Sequence, residues 1–166
     1  MLILLSFIVL TALAMIVHEL GHLVAARYCN VSASEVGLGL GPKLFGFSIG
    51  SVRFNLRALP LGSFVRLDGT ALKERSVRDQ LCVHLGGVAF NLIAGFVTYG
   101  TIFCWLNFLL AAGNLLPVYQ HDGWKCGVVL MRALLRRKSQ PVEWAFTFSG
   151  GFVSLVIAWA VIRLFV

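Results

Sequence analysis

The chain has 166 residues, 58% of them hydrophobic and 13% charged, with a mean hydropathy of +0.86 and a formal charge of +7. A soluble domain is usually about 45–50% apolar and about 25% charged, so this composition argues against an ordinary soluble enzyme. The basic residues cluster between apolar runs, which is a membrane-topology pattern and not a nucleic-acid surface. With no linker, repeat or low-complexity stretch, the chain reads as one domain over 1–166 with the lipid bilayer as its solvent.

From Met1 to Val17 no residue is charged. Then His18-Glu19-Leu20-Gly21-His22 sets a carboxylate and two imidazoles at membrane depth, where ionisable groups are costly and mark function. Helix residues four apart share a face, so His18 and His22 can both reach one metal ion. Glu19 then sits beside the metal's open position, where a general base takes a proton from water. The motif is that of a metalloprotease. Its helix is expected to cross the bilayer over about 4–26 and to end at the interfacial anchor Arg27. A signal peptide is not expected, since no basic region precedes the run and no small-residue cleavage site interrupts it.

Residues 35–67 behave differently. Gly37, Gly39, Gly41, Gly46, Gly50 and Gly62, with Pro42 and Pro60, forbid a long helix. Between Ser51 and Ala58 apolar and polar residues alternate strictly, predicting a half-buried strand with Val52, Phe54, Leu56 and Ala58 on its inner face. Leu44–Ile49 is the expected partner across a turn at Gly50-Ser51, giving a small membrane-associated β element of two to four strands. Such an edge can pair with an unwound substrate segment, with Phe54 and Asn55 as contacts.

A second apolar run, 81–118, is too long for one crossing. Eight Lys/Arg lie between Arg27 and Arg78, and four between Arg132 and Lys138. Both segments should face the cytoplasm, so an even number of crossings separates them. The run is expected to fold as a hairpin, about 82–101 and 104–118, turning near Gly100 or Asn107. A last crossing is expected at 144–162. The fold class is therefore a membrane α-helical protein of about four transmembrane helices, with the β element between the first and second. Its active site should lie near the cytoplasmic side.

Catalytic zinc takes three protein ligands and leaves a position for water. Few polar residues in the apolar stretches can supply the third, and Asp122, between Pro117 and Gly123, is the strongest candidate. His121 reads as a competing ligand or an interfacial side chain, and His84 as a helix-packing or interfacial one. Cys29, Cys82, Cys104 and Cys126 are widely spaced and form neither a zinc ribbon nor a disulfide framework.

The residues His18, Glu19 and His22, then Asn114, Pro117, Asp122 and Gly123, resemble the site-2 protease family of intramembrane zinc metalloproteases. Gly87…Asn91 matches a further family element, and Gly39-x-Gly41-Pro42 with the strand after it is similar to the β element of its bacterial branch. The chain departs from the family at Val88, His121 and Trp124, and carries no PDZ domain between the second and third crossings. The resemblance implies Zn2+ held by His18, His22 and Asp122, and Glu19 as catalytic base. It implies a role near the substrate or the developing oxyanion for Asn91, beside its alternative as an interhelical amide, and places Asn114 in the same surroundings. It also implies a multi-pass protein of the bacterial inner membrane. The substrate would be a single-spanning transmembrane protein such as a membrane-tethered transcription regulator or an anti-sigma-like factor. The alternative is a non-catalytic metal-binding membrane adaptor that keeps the protease fold.

Overall fold

The computed structural model describes residues 2–135 and 140–165. It is mostly helical: α1 (Leu2–Tyr28), then strands β1 (Ala33–Ile49) and β2 (Val52–Leu67), then α2 (Gly69–Glu74), α3 (Val77–Val97), α4 (Ile102–Leu115), α5 (Asp122–Leu135) and α6 (Gln140–Phe165). Two of these, α1 and α3, are long and apolar enough to cross a membrane. Shorter apolar helices run over Ile102–Leu115 and Pro141–Ile157.

One stripe of α1 is buried, formed by Ala14, His18, Gly21, His22, Ala25 and Ala26 at helical spacing, while Ile3, Leu5 and Val24 stay exposed. That stripe meets α3 along Val83, Gly86 and Gly87, while Gly95, further along α3, packs on Phe108 of α4. The contact is backbone on backbone: a Cβ on Gly21 would strike the Gly86 carbonyl, and one on Gly86 the Gly21 carbonyl. Small residues at a crossing let helices approach this closely. At the lower end Ala26, Cys29, Val31, Leu72 and Val83 form a small core that ties α1 to α2 and α3.

The two strands pair antiparallel, Ile49 opposite Val52 across the turn at Gly50, whose φ of +59° suits glycine. Both strands bend sharply. Residues Glu35, Val36, Gly37 and Leu38 consequently have partners on both sides, one set at Arg53–Leu56 and another at Ser63–Arg66. The alternation expected from Ser51 to Ala58 holds only in part. Leu56 is exposed, whereas Arg57 is half-buried. The cause is a buried carboxylate, Glu35, which accepts from Asn55 Nδ2 (2.6 Å) and pairs with Arg66 (3.2 Å) and Arg57 (3.8 Å). This polar cluster draws Arg57 inward on one face, while Phe47 and Phe54 stack at 5.3 Å.

Helix starts are set by side-chain caps. Asp68 accepts from the amides of Thr70 and Ala71, Ser76 from that of Asp79, and Thr101 from that of Cys104. Between α3 and α4 the chain reverses at Gly100, with φ +83°, and Asn107 lies within α4. From Gly87 up to the turn is about 15 Å of helix, and the 14-residue α4 brings the chain about 21 Å back. The return arm is shorter than the ~30 Å hydrocarbon core. It ends near the level of Gly87, and this is what brings the following segment to the histidines.

Pro117 ends α4 by holding Leu116 extended (φ −63°, ψ 145°). The chain then turns through Gln120, at a left-handed φ of 73°, and a separate helix, α5, starts at Asp122. Pro117 and Gly123 are residues that break or bend a helix, and here they break it, although the apolar pattern predicts no helix over 122–135. Gly123 is needed at the junction, because a Cβ there would strike the Leu115 carbonyl. Arg132, the first residue of the basic stretch, donates to both carboxylate oxygens of Glu143 (2.7 and 2.8 Å) and braces α5 against α6. Residues 136–139 of that stretch lie outside the described residues.

Candidate metal centre

Three ligating atoms converge where α1, α3 and α5 meet. His18 Nε2 and His22 Nε2 lie 3.1 Å apart, and Asp122 Oδ2 is 3.0 Å from the first and 3.1 Å from the second. All three residues are buried, and they form the one such group of His, Cys, Asp or Glu among the described residues. Tetrahedral zinc with bonds near 2.0 Å has ligand-to-ligand edges of about 3.3 Å, close to these separations. Two imidazole nitrogens and a carboxylate oxygen turned on one another out of water call for a cation between them. The donor set of two imidazoles and one carboxylate is a zinc set, and the residues present fit that ion.

Two of the three ligands are oriented from behind by hydrogen bonds, whereas His18 Nδ1 is buried with no partner among the described residues. His22 Nδ1 lies 2.8 Å from the Val83 carbonyl. A carbonyl only accepts, so Nδ1 carries the proton and Nε2 is left bare for the metal. Lys125 Nζ, one turn along α5, donates to Asp122 Oδ1 at 3.0 Å and leaves Oδ2 facing the histidines. Gly87 closes the third side, since a Cβ at that position would come within 2.7 Å of both imidazole rings. Gly87→Ala is therefore expected to push the rings apart and weaken zinc binding by about tenfold or more, measured by competition with a chromophoric chelator. Unchanged affinity would mean that the ring positions do not depend on this contact.

Glu19 is buried next to the ligands, and its Oε1 accepts a 2.6 Å hydrogen bond from Ser63 Oγ of β2. A cavity of about 550 Å³ opens onto the site and is lined by His18, Glu19, His22 and Asp122, with Gln120 and Lys125 at its polar side. An adjoining apolar recess of about 190 Å³ runs between α1 and the sheet. The arrangement can bind a metal, hold a carboxylate base beside it and admit water.

Of the other expected site residues, Asn114 lines the cavity, though its Nδ2 donates to the Leu110 carbonyl (3.0 Å). Phe54 and Asn55 line the recess together with Glu19, and Asn55 is also held by Glu35, but neither lies on the expected open edge: Phe54 pairs with Val36 and Phe47, and Asn55 with Gly37 and Gly46, because β1 folds back along the other side of β2. Asn91 is fully buried on the Gly87 face of α3, one turn beyond the ligands. Neither of its amide atoms has a partner among the described residues, and it does not line the cavity. His84 lines the cavity. His121 stands apart from the ligand cluster, its Nδ1 donating to the Gly113 carbonyl at 2.9 Å and closing the turn between α4 and α5. Ser63, Lys125 and the Val83 carbonyl were not singled out from sequence. Lys125 alone carries a signal there, as a lysine three residues after a candidate ligand.

Residues 6–104 match the family model described as peptidase family M50. A Clostridium perfringens protein provisionally named a zinc metalloprotease is 32% identical over 92 residues, covering 51% of this chain and 28% of the relative. A Helicobacter pylori protein with the same provisional name is 31% identical over 127 residues, covering 67% of this chain and 34% of the relative. One from Staphylococcus aureus is 32% identical over 80 residues, covering 48% and 19%. The chain thus spans about a third or less of the length of the curated relatives it matches. Asp122 lies beyond the family match, so its place in the site rests on the geometry.

Proposed function

The chain belongs to peptidase family M50, and from that membership we propose that it is an intramembrane zinc metalloprotease that cuts a transmembrane segment of a single-spanning protein. The observation that carries the reading is the convergence of His18, His22 and Asp122 with Glu19 beside them, on helices whose outer faces are apolar.

His18, His22 and Asp122 would hold the zinc, which when bound would supply a Lewis acid and lower the pKa of water at the site toward about 7. Glu19 takes the proton as water attacks the scissile carbonyl, and returns it to the leaving amine. The α1–α3 crossing excludes lipid from the ligands, and the polar lining of the cavity by Gln120 and Lys125 gives water a path to them. The sheet supports the rest of the reading. A transmembrane helix hides its amides in its own hydrogen bonds, so a protease must hold the segment extended, and the sheet offers that pairing at its outer segment Phe45–Ile49, which is paired on one side only.

The four apolar helices α1, α3, α4 and α6 are read as crossings, with α4 reaching only part of the way. The basic residues between Arg27 and Arg78 set the metal toward the cytoplasmic side of a bacterial inner membrane. The substrate class that fits is a membrane-tethered regulator, released by cleavage.

The test is cleavage of a single-spanning reporter by the purified chain in proteoliposomes. Cleavage is expected to stop on chelation and to return on adding zinc. Cleavage insensitive to the chelator would overturn the zinc assignment, and zinc binding without cleavage would favour a metal-binding adaptor.

A further inference from the structure

Strand β2 reaches across 44 residues of sequence to the one carboxylate that the proposed chemistry needs. Ser63 Oγ lies 2.6 Å from Glu19 Oε1, a short separation of the kind found where a hydroxyl donates to an ionised carboxylate. The contact is half-buried beside the metal ligands.

Ser63 is itself held in place. Its backbone pairs with Leu38 of β1, and the next residue, Phe64, lies under the guanidiniums of Arg57 and Arg66 at 5.5 and 5.9 Å. Those two arginines are in turn anchored on the buried Glu35. Glu19, by contrast, is on a long flexible side chain whose position α1 alone does not fix. Glu19 and Ser63 also line both the catalytic cavity and the apolar recess, so the pair stands where the two spaces join.

We propose that Ser63 is a positioning residue for the general base. Its hydroxyl holds Oε1 so that Oε2 is the oxygen presented to the reacting water, and the rigidity of the sheet is thereby transmitted to the proton-transfer step. The inference rests on the protease reading of Glu19, and it makes the β element part of the catalytic apparatus as well as a surface for substrate.

Kinetics of Ser63→Ala and Ser63→Thr, in the zinc-loaded chain with the transmembrane reporter, test this. Ser63→Ala is expected to lower kcat about tenfold or more with KM within about twofold and zinc content unchanged, while Ser63→Thr, which keeps the hydroxyl and suits a strand, restores most of the rate. Wild-type kcat in Ser63→Ala, equal losses in both variants, or an effect confined to KM would overturn it. A second readout does not depend on turnover: the carboxylate stretching band assigned to Glu19, identified as the band lost in Glu19→Gln, should shift in Ser63→Ala and stay in place in Ser63→Thr. An unmoved band contradicts the positioning role. A band that moves in Ser63→Ala, when the wild type cleaves nothing, leaves the hydrogen bond standing and removes the protease reading instead.

Discussion

Glu19→Gln is expected to lower kcat for cleavage of a transmembrane reporter by about 10³-fold and to leave the zinc in place. The size follows from what is removed. Glutamine preserves the shape of the side chain and still accepts a hydrogen bond from Ser63 Oγ, so the fold and the cavity persist. It cannot take up a proton, and a positioned general base typically contributes about 10²–10⁴ in rate. The metal ligands His18, His22 and Asp122 are untouched. Zinc stoichiometry measured by emission spectrometry should therefore equal that of wild type. Loss of the metal along with activity would show instead that Glu19 supports the ligands.

Asp122→Ala has the largest effect on the metal. Zinc affinity should fall by more than about 100-fold, since a full ligand is lost and even partners behind a ligand are worth about 10–100-fold. The substitution also removes the partner of Lys125 Nζ, whose side chain is 38% exposed and can turn to water, so the loss of the ligand is the effect read out. The informative companion is Lys125→Met, which removes the cation's support but keeps the carboxylate; it should weaken zinc binding by about tenfold, less than Asp122→Ala. Undiminished affinity in Asp122→Ala would remove this residue from the ligand set and leave two histidines in search of another partner.

How much of this was legible in the sequence depended on the distance over which each feature is encoded. His18 and His22 are four apart on one helix, so their convergence follows from helical geometry alone. Asp122 lies 100 residues away from His22. It was found because polar residues are scarce in the apolar stretches, and what brings it back, the short return arm α4, is a matter of length that the sequence shows only once the turn at Gly100 is known.

The β element was visible in its glycines and its period of two, but the alternation misassigned Arg57, because Glu35 takes the arginine in from a strand the pattern did not connect to it. Helix α5 was missed because Pro117 and Gly123 are signals both for a bend in one segment and for an end and a new start. The structure takes the second course, with Gly123 packed on the Leu115 carbonyl. Contacts that join remote elements through one atom pair, Ser63 with Glu19 and His22 with the Val83 carbonyl, leave no periodic trace in a single sequence.

The central claim is that the centre on α1 and α5 cuts a peptide bond within a membrane-spanning segment. Mass spectrometry of the products of a single-spanning reporter, cleaved by the zinc-loaded chain in proteoliposomes, tests it most directly. One cut is expected inside the apolar segment, absent from Glu19→Gln run in parallel. Cuts confined to the soluble flanks of the reporter, or the same products from both proteins, would contradict it.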